Sequence, residues 1–128
     1  MPKKIIDTNI IIRFLTNDPP HLADKAQQLI QQAKPHQLII PDLVIAEIIW
    51  VLLSFYQLDK MTVIDKIDSL IACDKFDLNR PIIEPALQFY RLYNISFVDA
   101  YLLSLSLNKN NPLISFDQDL NKVILSLS

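Results

Sequence analysis

Glycine is absent from all 128 residues, and that absence removes several functions. There is no GxGxxG dinucleotide fingerprint, no phosphate-cradling P-loop and no Gly-flanked nucleophile elbow. Helix ends must close on other residues, and Asn with Pro stands where closure is expected, at Asn79-Arg80-Pro81, Asn94 and Asn110-Asn111-Pro112. Cysteine occurs once, at Cys73, which excludes an internal disulfide and a multi-cysteine zinc site. The two histidines, His21 and His36, each follow a proline in a polar stretch. Their expected place is an exposed loop or helix start, so a His-based metal site or triad has no support. No apolar run reaches the length of about 20 residues that a bilayer requires. The opening Met1-Pro2-Lys3-Lys4-Ile5-Ile6-Asp7 meets a carboxylate too early for a signal-peptide apolar region, so a cytoplasmic location is expected.

What is present describes a folded chain. Hydrophobic residues make up 51% and charged residues 20%, which argues against disorder. The length suits one domain over residues 1–128, with a single hydrophobic core. Short apolar runs at Lys3–Ile6, Gln37–Ile40 and Lys75–Leu78 read as strands. Asn9–Thr16, Pro19–Ala33, Asp42–Tyr56, a segment capped by Thr62 and running to Ala72, Pro81–Tyr93 and Ser96–Asn108 read as helices. Pro112–Ser115 and Val123–Ser128 read as two further strands. Strands alternating with helices predict an α/β fold with a central, mainly parallel β-sheet flanked by helices. Sites in such sheets lie beyond the carboxyl ends of the strands, where this reading places Asp7 and Asp117.

Four carboxylates stand apart from other charge. Asp7 is the only charged residue between Lys4 and Arg13, Glu47 between Asp42 and Asp59, and Asp99 between Arg91 and Lys109. Asp117 and Asp119 are the only charges between Lys109 and Lys122. An ionised carboxylate in apolar surroundings is costly unless it is paired, hydrogen-bonded or bound to a cation. No Lys or Arg lies within a helical turn of Glu47 or Asp99, and converging acids would repel one another. A divalent cation resolves both problems, and an all-oxygen donor set suits Mg²⁺ or Mn²⁺ better than zinc.

Each acid also has a plain structural reading. Asp7 can cap the helix after it, Ser96-Phe97-Val98-Asp99 has the outline of a capping box, and Asp117 can belong to a polar turn. Glu47 is hardest to explain in this way, because its predicted helix is apolar nearly all round. Asp24, Asp59, Asp65, Asp68, Asp74 and Asp77 each have a Lys nearby and read as solvated surface.

With these positions in hand, the chain resembles the PIN-domain family, and most closely the VapC-like toxin ribonucleases of type II toxin–antitoxin pairs. Ile5-Ile6-Asp7-Thr8-Asn9-Ile10 is similar to that family's opening strand and first acid, and Pro41-Asp42-Leu43-Val44-Ile45-Ala46-Glu47-Ile48 to its Glu-bearing helix. Phe97-Val98-Asp99-Ala100-Tyr101-Leu102 is similar to the segment of the third acid, and Leu113-Ile114-Ser115-Phe116-Asp117-Gln118-Asp119-Leu120 to the last strand and its Asp. The departures are the lack of Gly and the Asn110-Asn111 turn, which bear on loop geometry. The resemblance implies a PIN-like α/β/α fold and an Mg²⁺- or Mn²⁺-dependent endoribonuclease with Asp7, Glu47, Asp99 and Asp117 as its acids. Asp7 and Asp99 would bind metal directly, Glu47 and Asp117 would complete the shell or position water, and Asn9, Ser115 and Asp119 would orient those groups. It also implies an RNA substrate, an antitoxin protein partner, a homodimer and no membrane association.

The net charge of −2 does not attract RNA, although setting the four acids aside leaves 12 basic residues against ten acidic. Lys3, Lys4, Arg13, Lys34, Arg80 and Arg91 are candidate phosphate contacts that the sequence does not group into a patch. Three other readings compete: a housekeeping RNA-processing nuclease of the same fold, a PIN-like module without catalysis, and an Asp-nucleophile phosphotransferase. The last would resemble Asp-x-Asp after the first strand, where this chain has Asn9.

Overall fold

The structure, a computed structural model, describes residues 2–128. Its contacts cluster into two compact units, one ending at Leu78 and the other beginning at Asn79. The first holds β1 (Lys4–Ile5), α1 (Thr8–Thr16), α2 (Pro20–Gln32), β2 (Leu38–Ile39), α3 (Asp42–Ser54), α4 (Lys60–Ala72) and β3 (Phe76–Asp77). The three strands form a parallel sheet in the order β1-β2-β3, with Lys4 opposite Leu38 and Leu38 opposite Phe76. Flanking ladder bonds, Ile6 N–H to Ile39 O at 3.0 Å and Ile40 N–H to Asp77 O at 2.9 Å, carry the pairing past the strand cores. Parallel pairing requires a crossover between successive strands, and α1–α2 and α3–α4 supply the two. The predicted α/β class with a parallel sheet is therefore what forms, with seven helices among the described residues.

The first unit's core follows the helical period. Ala23, Ala26 and Ile30 are the buried side of α2, Ile45, Ile48, Ile49 and Leu52 of α3, and Val63, Ile64, Ile67 and Leu70 of α4. The β-branched run Ile10–Ile12 forms a helix because Asp7 caps it and its buried residues, Thr8, Ile11 and Ile12, share one side. The cap of α4 is Asp59, which accepts from Thr62 N–H at 2.8 Å; Thr62 is the third residue of the helix and not its cap. Among the described residues of this glycine-free chain, four take positive φ: Asn17, His36, Gln57 and Asn110. The two asparagines close α1 and α6, in keeping with the tolerance of Asn for left-handed backbone. Asn79 instead precedes a helix, and before Asn94 the chain leaves its helix through an extended Tyr93.

The second unit holds α5 (Arg80–Leu92), α6 (Phe97–Lys109) and α7 (Gln118–Leu127). Helices α5 and α6 pack on each other. The Tyr90 and Phe97 rings meet edge to face at 5.9 Å, and the buried Ser104 hydroxyl donates to Ile82 O at 2.6 Å. Pro85 lies inside α5 on its exposed side and does not end it. Two sequence expectations are corrected in this unit. Pro112–Ser115 is not a strand, and Val123–Ser128 falls largely within α7, whose buried residues Leu120 and Val123 are three apart. A strand needs a partner. Among the described residues none pairs with 112–115, and Ile114 and Phe116 stand exposed there.

Candidate functional site

Asp7 sits one residue beyond buried Ile6, where β1 has left the sheet. Its backbone is extended, and its Oδ1 accepts from Ile10 N–H at 3.2 Å as the N-cap of α1. Its other carboxyl oxygen is unengaged among the described residues. Asn9, expected to orient the acid, is exposed in the first turn of the same helix.

Glu47 lies in the second turn of α3, the helix that begins just after β2 at the same carboxyl edge of the sheet, and α1 and α3 pack together. The expectation that Glu47 is immersed in apolar surroundings is corrected. Leu43, Glu47 and Trp50, spaced four and three residues apart, are the exposed side of α3, with Leu43 82% and Trp50 66% accessible. Glu47 has no ion-pair partner among the described residues. It is therefore a solvated charge on an apolar stripe.

In the second unit, Asp99 is half-buried in the first turn of α6. Ser96 caps that helix by accepting from Asp99 N–H at 3.1 Å, so the serine half of the expected capping box forms. The Asp99 carboxylate itself makes no hydrogen bond or ion pair among the described residues. Asp117 is exposed and caps α7, its Oδ1 accepting from Leu120 N–H at 2.9 Å. It follows an extended loop and not the strand the sequence predicted. The Ser115 hydroxyl accepts from the Asp117 backbone N–H at 2.9 Å. Asn121, which the sequence reading passed over, holds the same loop by donating from its side chain to Ser115 O at 2.8 Å. The available signal was its place four residues after the capping Asp117, one turn along the same helix face. Asp119 is exposed in the first turn of α7.

Three of the four acids thus sit at helix N-termini, and all four keep at least one carboxyl oxygen unengaged among the described residues. Among the described residues no group of three or more His, Cys, Asp or Glu side chains is arranged to hold a metal ion. The donor chemistry nevertheless fits Mg²⁺ or Mn²⁺. Mg²⁺ commonly takes one or two carboxylates, keeps several waters and draws further oxygens from substrate phosphate, with no dedicated protein cage. No helix of the described residues is long and apolar enough to cross a membrane.

Comparison with curated proteins returns no match. A family model described as the PIN domain matches residues 4–124, a span that runs through both compact units and takes in all four acids. PIN domains are generally metal-dependent nucleases that act on RNA. On that match, and with the α/β fold in agreement, the chain belongs to the PIN-domain family.

Proposed function

We propose that this protein is a divalent-metal-dependent endoribonuclease acting through Asp7, Glu47, Asp99 and Asp117. The observation that carries the reading is the family match over residues 4–124. The unengaged carboxyl oxygens of the four acids support it. Asp7 and Asp99 are the direct ligands of Mg²⁺ or Mn²⁺, with Glu47 and Asp117 completing the shell or accepting a proton from the attacking water. When bound, the ion lowers the pKa of that water and offsets charge on the leaving oxygen. Asn9, Ser115 and Asp119 orient the acids, Ser115 through its bond to the Asp117 backbone.

The finer reading is the toxin of a type II toxin–antitoxin pair, working in the cytoplasm as a homodimer held in check by a small antitoxin protein. The exposed Leu43 and Trp50 beside Glu47 are in keeping with a surface that a partner covers. The deciding experiment incubates purified protein with labelled cellular RNAs in Mn²⁺ and in EDTA. Internal cleavage that needs the metal is expected; undiminished cleavage by rigorously metal-free protein overturns the assignment. A small gene immediately upstream whose product relieves growth arrest on co-expression separates the toxin from a housekeeping nuclease.

A further inference from the structure

Asp117 follows a stretch, 111–116, that forms neither helix nor strand. Residues 112–116 make no backbone–backbone hydrogen bond among the described residues, so side chains must hold the acid in place. Three bonds do so in series. Asp117 Oδ1 accepts from Leu120 N–H at 2.9 Å, Asp117 N–H donates to Ser115 Oγ at 2.9 Å, and the Asn121 carboxamide donates to Ser115 O at 2.8 Å. The Ser115 carbonyl and the Asp117 amide belong to the two successive planar peptides ahead of the acid. Ser115 thus fixes the nearer plane, and Asn121 alone fixes the farther one.

We infer that Asn121 is a positioning residue for Asp117: by anchoring the Ser115–Phe116 peptide it aims the acid's unengaged oxygen. The assignment rests on the reading of Asp117 as part of the metal's shell. Two features of the helix support it. Side chains on a helix lean toward its N-terminus, and Asn121 lies one turn after Asp117, so its carboxamide reaches back to the loop. Asn is also a poor helix former, because its short carboxamide competes for nearby backbone groups. Leu would serve the interior of α7 better, and the bond to Ser115 is what Asn supplies that Leu cannot. Ser115 and Asn121 are both half-buried, and the whole arrangement lies within the second compact unit. Loss of a group that orients a metal ligand typically costs about 10- to 100-fold in metal affinity. Asn121 acts through one intervening residue, which puts the expected loss at the lower end, about tenfold.

The test is Mn²⁺ affinity without RNA, read from the electron paramagnetic resonance signal of the free ion, for wild type, Asn121→Leu and Val123→Ala. Leu is close to Asn in size, lacks the donor and favours the helix, and the freed Ser115 carbonyl is open enough to take water. Asn121→Leu should therefore stay folded by circular dichroism and bind Mn²⁺ about tenfold more weakly. Asn121→Ala, a still better helix former without the donor, should give the same loss. Val123→Ala removes buried packing from α7, so it should melt lower than wild type and bind Mn²⁺ unchanged. In EDTA the Asp117 and Leu120 amide protons should exchange with solvent faster in Asn121→Leu than in wild type. Unchanged Mn²⁺ affinity in both Asn121 variants overturns the positioning role. So does an equal loss in Val123→Ala, which would make the effect one of helix stability. Wild type that takes up no Mn²⁺ tells against the metal-site reading itself, whereas equal amide exchange in EDTA tells against the anchor alone.

Discussion

Asp7 combines two roles that a pair of substitutions can separate. Its Oδ1 caps α1 through Ile10 N–H, while its remaining oxygen is the one available to a cation. Asn caps helices about as well as Asp, whereas replacing a capping Asp by Ala costs about 1 kcal/mol. Asp7→Asn should therefore melt within a few tenths of a kcal/mol of wild type and yet lose metal-dependent cleavage. Asp7→Ala should lose both. Chemical denaturation alongside an RNA cleavage assay checks this, and full activity of Asp7→Asn would leave the residue as a cap alone. The sequence showed both possibilities at Asp7 and could not weigh them, because a capping carboxylate and a metal-binding one use the same local pattern. At Glu47 the sequence misled. Isolation from other charges along the chain looked like isolation from water, but Leu43, Glu47 and Trp50 share the exposed side of α3. Hydropathy around a helix does not reveal which side faces solvent when the exposed side is itself apolar.

Among the elements, those with strong local signals were legible: three strands bounded by turn residues and six helices with caps or buried stripes formed where expected. The failures lie after Asn110. Val123 and Ile124 suggested a strand, but the Asp117 cap and the spacing of Leu120 and Val123 make a helix. Pro112–Ser115 has strand composition and no partner, and pairing is a property of the fold that local sequence does not carry. Helix α4 offers a quantitative check on capping as an element-level force. The Asp59 carboxyl is held below its ordinary value of 3.8 by hydrogen bonds to the side chain and then the backbone of Thr62. A depressed carboxylate pKa contributes stability that is complete above the unfolded-state value and is lost as pH falls through the folded one. Asp59→Ala should consequently lower the melting temperature at neutral pH, and the gap from wild type should narrow below about pH 4. A gap independent of pH would mean that the charged cap is not what holds the start of α4.

For the whole molecule, metal binding should appear as a stability change, and Asp99 is the residue through which to read it. Because Ser96 supplies the cap of α6, Asp99→Asn leaves that cap in place. Its cost without metal is limited to the interaction of a first-turn carboxylate with the helix dipole, about 0.3–1 kcal/mol. Any repulsion from other acids would offset this in the variant's favour. Metal acts differently, stabilising the folded chain by mass action by about 2.7 kcal/mol at roughly a hundredfold excess over its dissociation constant. For a chain of this size that corresponds to a rise of roughly 10 °C in melting temperature. Thermal unfolding of wild type and Asp99→Asn, each in EDTA and in Mn²⁺, should thus give near-equal curves without metal, and a large rise with Mn²⁺ in wild type alone. If Asp99 were only part of a helix start, the variant would keep the whole Mn²⁺ rise. The two outcomes separate on the metal-induced difference, which does not depend on how stable the metal-free chain is.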